Sequence, residues 1–256
     1  MSKVAVTTGA AGGLGKALIA LLLDDDWTIV GLDLPSPSLE ALQIQNVETH
    51  ACDLTNAEEI AVVCQQILSN HQAIDLVIHC AGITHIGNFE SLERKTLRRV
   101  MEINFFATVE ITTHLLSAVR KAKGTHLAIS SVAGFSPLKK RTAYAASKHA
   151  LEGFFNSLRS EESVYGVSCL IAAPSFIATN SGNAERQENG IARPGSASDG
   201  FDTMSPDDAA TVILKGYHQR RSMITVGRIA GLSYWLNRFS PRLYERIMTK
   251  KVGAGN

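Results

Sequence analysis

The 256-residue chain has little of what marks a secreted, membrane-spanning or nucleic-acid-binding protein. Its four cysteines, Cys52, Cys64, Cys80 and Cys169, show no CxxC spacing and mostly sit in apolar runs. That pattern suits buried free thiols in a reducing cytosol better than a disulfide frame or a zinc site. No apolar run approaches the ~20 residues needed to cross a bilayer, and a strand-like segment starting at Lys3 leaves no room for a signal peptide. Charge is scarce too: 19% of residues are charged, and 25 Lys and Arg against 24 Asp and Glu leave a net charge of +1. Such a balance supplies no field to draw the chain onto nucleic acid. With 20 Gly, 7 Pro and 45% apolar residues, collagenous, low-complexity and disordered chains are excluded. A cytoplasmic globular protein, at most peripheral to a membrane, is the expectation.

The neutral average hides an uneven distribution. Residues 217–256 hold 8 basic side chains and 1 acidic one, whereas residues 1–216 hold 17 basic and 23 acidic.

Short runs of β-branched and apolar residues alternate with amphipathic stretches, the pattern of βαβ units. Strands are predicted near Val4 to Thr7, Thr28 to Leu32, Val47 to Cys52, Leu76 to His79, His126 to Ser130, Val167 to Ala172 and Met223 to Val226. Helices are predicted to fill the intervals: one follows the glycines after the first strand, and later ones cover roughly Ala57 to Leu68, Leu92 to Val119 and Thr142 to Tyr165. Strands that are apolar throughout are covered on both faces, so the fold class is α/β: a doubly wound parallel sheet of about seven strands in a single domain spanning 1–256. From Asn180 to Met204 the chain is Gly, Ser, Asn and charge with hardly an apolar anchor. It reads as a long mobile loop of the kind that forms lids, the substrate loop of about 180–205. Ser205, Pro206, Asp207 and Asp208 then mark a helix start.

Directly after the first strand comes TGAAGGLG, with Thr8, Gly9, Gly13 and Gly15 in fixed spacing and Leu14 opening an amphipathic helix. Without Cβ atoms in the way, backbone amides and the positive helix end can approach a pyrophosphate. The competing reading is a tight strand-to-helix turn. Asp33 ends the second strand, 18 residues beyond Gly15, where a carboxylate can accept bonds from the ribose hydroxyls of an adenosine. It would repel a 2′-phosphate, and neither Gly12 nor Leu34 supplies a neutralising base, so NAD is favoured over NADP. The bland alternative is a solvated Asp opening a turn.

Tyr144 and Lys148 lie four residues apart in TAYAASKHA and share a helix face. Ser131 lies thirteen residues upstream, at a strand end beside the predicted crevice, with Ser130 as its neighbour on the opposite strand face. Asn104 sits in the long preceding helix. His79, His85 and His149 lack a paired carboxylate or a second His at metal spacing and read as structural or surface residues, with no metal expected.

These residues together resemble the short-chain dehydrogenases/reductases, over residues 3 to about 226. TGAAGGLG is similar to the family's TGxxxGxG, and Asp53-Leu54 to its adenine-side acidic pair. Cys80-Ala81-Gly82 stands for Asn-Ala-Gly, and Pro174 to Thr179 (PSFIAT) for PGxxxT. Asn104, Ser131, and Tyr144 with Lys148 fall on its Asn, Ser and YxxxK positions. The resemblance implies a Rossmann-type fold, NAD, a small-molecule alcohol or ketone substrate, and a homo-oligomer, dimer or tetramer. It also implies roles: Tyr144 as general acid/base and Lys148 on the nicotinamide ribose, lowering the phenol pKa together with the positive nicotinamide. Ser131 would hold the substrate oxygen, Asn104 a water leading from Lys148 to solvent, and Thr179 the nicotinamide carboxamide, with Ile177 against the ring. A Thr that merely caps its loop is the alternative for Thr179. Cys80 for Asn and Ser175 for Gly depart from the family pattern.

Residues 228–251 interleave Trp235, Leu236, Phe239, Leu243, Tyr244, Ile247 and Met248 with Arg and Lys, and Pro241 should split them into two short helices. A lid over the cleft, a subunit contact and a helix lying on anionic membrane compete for this basic tail of about 228–256. An NAD-dependent oxidoreductase acting on a hydrophobic alcohol or ketone is the first functional reading. An NAD-sensing protein without turnover and a reductase of carrier-bound acyl chains are the others.

Overall fold

The structure, a computed structural model, describes residues 2–44, 47–179, 189–195 and 203–253. Seven strands form its central sheet: β1 (Val4–Thr8), β2 (Thr28–Asp33), β3 (Glu48–Ala51), β4 (Leu76–His79), β5 (Thr125–Ile129), β6 (Ser168–Pro174) and β7 (Met223–Val226). Each begins and ends within two residues of its sequence expectation. All adjacent pairs are parallel, in the order β7-β6-β5-β4-β1-β2-β3. The winding direction reverses between β1 and β4, and the carboxyl ends of those two strands flank the crevice where doubly wound sheets bind ligands.

Successive strand residues point to opposite faces, and the core divides accordingly. Ala5, Leu76, Ile78, Leu127 and Ile129 join the cluster under α1 (Gly13–Leu23) and α7 (Pro206–His218). Their neighbours Val6 and Val77 join the cluster under α3 (Ala57–Asn70) and α5 (Ala107–Ala122), after α2 (Pro37–Gln43) and α4 (Arg94–Met101) in the chain. Ala128 and Ile171 meet Leu151 and Phe155 of α6 (Thr142–Glu162). Arg120 makes a two-pronged ion pair with Glu162 at 2.7 and 2.6 Å, tying the ends of α5 and α6.

Two expectations need correction. The helix expected from Leu92 to Val119 is α4 and α5 joined by a five-residue π-helical turn, Glu102–Phe106, which contains Asn104. The loop from Asn180 to Met204 is anchored at two places: buried Ile191 and Ala192 pair antiparallel with Thr84–His85, and Thr203–Met204 pair with Phe176–Ile177. Residues 180–188 and 196–202 lie outside the described residues. Helix α2 fills the interval between β2 and β3, where Ser36 caps it by accepting from Leu39 N–H with Pro37 in the first turn. The start of α7 is as expected, Ser205 Oγ accepting from Asp208 N–H at 3.1 Å.

His79 of β4 and His126 of β5 form a buried pair, with ring nitrogens 3.2 Å apart and rings stacked beneath Phe155. Burial holds His79 well below the usual imidazole range and pushes His126 down to about 4, although the Glu162 charge pulls His126 the other way. Thr112 of α5 also faces the pair. The native state therefore keeps both rings neutral where the unfolded chain protonates them. Stability is greatest above pH ~6.5 and falls as pH drops below it, His126 alone accounting for about 2 kcal/mol by pH 5. Urea midpoints across this range should show the slope, and His126→Gln should make it shallower. An unchanged slope in the variant would assign the effect to other groups.

Candidate active site

At the switch point the chain builds a loop that only glycine fits. Gly9 holds φ +67°, and a Cβ on it would stand 2.8 Å from Ala81 N at the end of β4. A Cβ on Gly13 would meet the Thr179 carbonyl at 2.9 Å, and one on Gly15 would overlap the Gly9 carbonyl. Thr8 Oγ1 accepts from Cys80 N–H and Ala81 N–H at 3.1 and 3.2 Å, fastening the ends of β1 and β4 together. The first turn of α1 has neither a side-chain cap nor an acidic residue, unlike those of α2, α3 and α7. Its backbone amides thus point to the crevice without a side-chain partner, the feature that suits a helix start to a pyrophosphate.

The crevice is a cleft of about 590 Å³, lined by every candidate residue except Asn104. At one end Asp33 Oδ2 accepts from Ala11 N–H at 2.9 Å and Oδ1 from Leu34 N–H at 2.8 Å, so the carboxylate is fixed against the glycine loop. Asp53 is held by Thr55, whose N–H and hydroxyl both donate to Oδ1, and Leu54 is buried beside it.

At the other end α6 presents Tyr144 and Lys148, both buried. The hydroxyls of Ser131 and Tyr144 are hydrogen-bonded. Ser130 instead donates to Glu152 at 2.6 Å behind the wall, so of the two serines it is Ser131 that meets the phenol, as alternation along a strand requires. Lys148 Nζ donates to the Ile129 carbonyl at 2.7 Å and lies 5.8 Å from the centre of the Tyr144 ring. Asn104 stands behind this wall, with Oδ1 accepting from Ile83 N–H at 2.8 Å and Nδ2 donating to the Ile83 carbonyl and Ser147 Oγ, both at 2.9 Å. A Cβ on Gly82 would sit 3.3 Å from Asn104 Oδ1 and 3.6 Å from Lys148 Nζ. Thr179 Oγ1 donates to the Pro194 carbonyl at 2.7 Å. That is the loop contact of the bland alternative, and the oxygen can still accept a bond from an amide.

Burial dominates the electrostatics of both side chains. Burial raises the Tyr144 pKa, opposed by the Ser131 hydrogen bond and by the positive charge of Arg141. Burial also pushes Lys148 down to about 8, with Cys80 and Glu152 opposing. In the chain alone the phenol is therefore held protonated, because enclosure penalises the anion more than its neighbours favour it. Half-buried Cys80 stays neutral beside the lysine, its thiol pushed up to about 12 by burial. Ser175 N–H donates to the Val226 carbonyl at 3.1 Å, tying the loop after β6 to the end of β7.

Sequence reasoning missed Arg141, whose place in KKRT reads as a solvated charge but which is buried directly before α6. It also missed Glu152 and Ser147, which hold Ser130 and Asn104 from behind. Glu152 sits one turn beyond Lys148, the one legible signal for it.

The short-chain dehydrogenase family model matches residues 3–190. A Xenopus laevis protein, dehydrogenase/reductase SDR family member 7B, is 30% identical over 267 residues, covering 97% of this chain and 81% of that one. A short-chain dehydrogenase structure from Streptomyces avermitilis superposes with TM-score 0.82 at 25% identity, over 100% of this chain and 98% of the other. Two further structures share the fold: one from Burkholderia cenocepacia in complex with NADP (TM-score 0.83, 20% identity, 96% and 97% coverage) and one from Burkholderia phymatum in complex with NAD (0.80, 18%, 94% and 95%). The chain belongs to the short-chain dehydrogenase family, a class of oxidoreductases acting on alcohol and carbonyl groups.

Proposed function

We propose that the chain transfers hydride between NAD(H) and a secondary alcohol or ketone with an apolar body, using Tyr144 as general acid/base. The observation that carries this reading is the meeting of Tyr144, Ser131 and Lys148 in the same cleft as the uncapped glycine loop. Bound NAD(H) supplies a nicotinamide carbon that accepts or gives hydride. In reduction the Tyr144 hydroxyl gives its proton to the substrate oxygen as that oxygen gains charge; in oxidation the phenolate takes the hydroxyl proton back. Ser131 Oγ holds the same oxygen, and the Lys148 ammonium favours the anion and holds a ribose. Ile86, Ile103 and Leu138 line the cleft and support an apolar substrate body. The test is turnover: purified protein with NAD+ and a panel of alcohols, or NADH and ketones, followed at the absorbance of reduced cofactor. Cofactor binding without turnover of any substrate would favour the sensing alternative.

Asp33 supports NAD over NADP. Its carboxylate is fixed, and the described lining residues around it, Ala11, Leu34, Pro35, Ser36 and Ser38, carry no positive charge. A phosphate charge about 5 Å away would cost about 3 kcal/mol at an effective dielectric constant of 20, so NADH should bind roughly a hundredfold tighter than NADPH. Asp33→Asn should shrink that ratio to within about tenfold. Equal affinities in the wild type would remove the preference.

A further inference from the structure

The basic tail folds as α8 (Arg228–Phe239) and α9 (Pro241–Gly253), divided at Pro241 as expected. Its apolar face, however, does not pack inward. The inner side of α8 is formed by buried Ala230 and Ser233 and by two residues resting on the turn after Ser131. There Tyr234 meets Phe135 edge to face, and Asn237 Nδ2 donates to the Phe135 carbonyl. The opposite side carries Leu232, Trp235 and Phe239, which are 68%, 57% and 79% exposed. On α9 Leu243 and Ile247 are also exposed, while Tyr244 is buried. Isolated exposed apolar residues need no partner, but three on one face of α8 with two more exposed on α9 form apolar surface that calls for one. A lid closing this face onto the cleft is excluded by the inward contacts of Tyr234 and Asn237.

Charge selects the partner. Arg228, Arg238, Arg242 and Arg246 are all exposed. Arg228 lies one turn before Leu232, and Arg242 and Arg246 form the row beside Leu243 and Ile247. Residues 228–253 contain one acid, Glu245, among six Arg and Lys. A second copy docked about a two-fold axis through this face would set arginine against arginine. Trp and Phe between arginines instead match a surface that is negative outside and apolar just beneath. We propose that the outer face of α8 and α9 docks the chain onto an anionic lipid surface. The inner face of the same helix rests on the turn beside Ser131, so docking holds the reacting end of the cleft about one helix diameter, ~10 Å, from the lipid.

Co-sedimentation with vesicles tests this on the full chain. Binding is expected to phosphatidylcholine vesicles containing about a third phosphatidylserine and not to phosphatidylcholine alone, and it should weaken steeply as salt rises. Replacing Arg238, Arg242 and Arg246 together by Gln should weaken partitioning about a hundredfold. Replacing Leu232, Trp235 and Phe239 together by Ser should abolish it without lowering the melting temperature, since all three face solvent. The salt series on the wild-type protein requires no variant and stands even where a variant misfolds. Equal sedimentation with both vesicles, sedimentation with neither, or a dimer that the Ser variant converts to monomer would each overturn the proposal.

Discussion

Tyr144→Phe should lower kcat by about a thousandfold or more while leaving the NADH dissociation constant within about threefold. The ring stays: it is buried on α6 above Lys148, and phenylalanine fills the same volume. What leaves is one oxygen, whose hydrogen-bond partner is Ser131. No other described side chain in the cleft pairs a neutral, transferable proton with contact to Ser131, so general acid/base catalysis has no substitute. Stopped-flow cofactor binding and steady-state turnover on the same preparation separate the two effects. A variant retaining most of its turnover would remove Tyr144 from the chemistry. In the wild type, burial raises the phenol pKa, so the proton donor is intact at neutral pH. Alcohol oxidation should therefore rise with pH more steeply than ketone reduction over the range from 7 to 9.

The second large effect has two signs. Lys148→Met should cost two to three orders of magnitude in kcat/KM and yet raise the melting temperature. Lys148 is enclosed, and burial pushes its pKa down to about 8 from 10.5. The unfolded chain holds that proton more tightly, so the folded state loses about 3 kcal/mol at pH 7 for keeping an ammonium there, a cost that shrinks as pH rises from 8 towards 10.5. Methionine removes the charge at similar volume. It also leaves the Ile129 carbonyl without its 2.7 Å donor, which takes back about 1–2 kcal/mol. A net gain of about 1–2 kcal/mol is a rise of several degrees for a chain of this size. Calorimetry beside kinetics reads both. A variant that is less stable and still active would mean that Lys148 serves packing alone.

The glycine loop and the Tyr-Lys pair were legible because their chemistry has no equivalent among other residues. Only glycine fits where a Cβ would strike Ala81 or the Gly9 carbonyl, and Tyr144 and Lys148 are joined by helical periodicity alone. Ser131 could be preferred to Ser130 by spacing, but strand alternation needed coordinates to say which face held the phenol and which held Glu152. Arg141 was illegible, since an arginine after two lysines reads as a solvated face until the fold encloses it. The π-helical turn at Asn104 left no mark in the periodicity: one extra residue in a turn is below what a hydrophobic pattern resolves.

By itself, then, the sequence determined the strands, the glycine loop, the shared helix face of Tyr144 and Lys148 and the division of the tail at Pro241, all of which are local properties of residue type and spacing. Tertiary structure decided direction and environment. It turned the apolar side of α8 outward, because Tyr234 and Asn237 found partners at Phe135. It set how dry the Tyr144 phenol is in the chain alone, where burial raises its pKa against the Ser131 hydrogen bond and the Arg141 charge. Which face packs and how dry a group becomes are set by distant segments meeting, and spacing along the chain does not encode that.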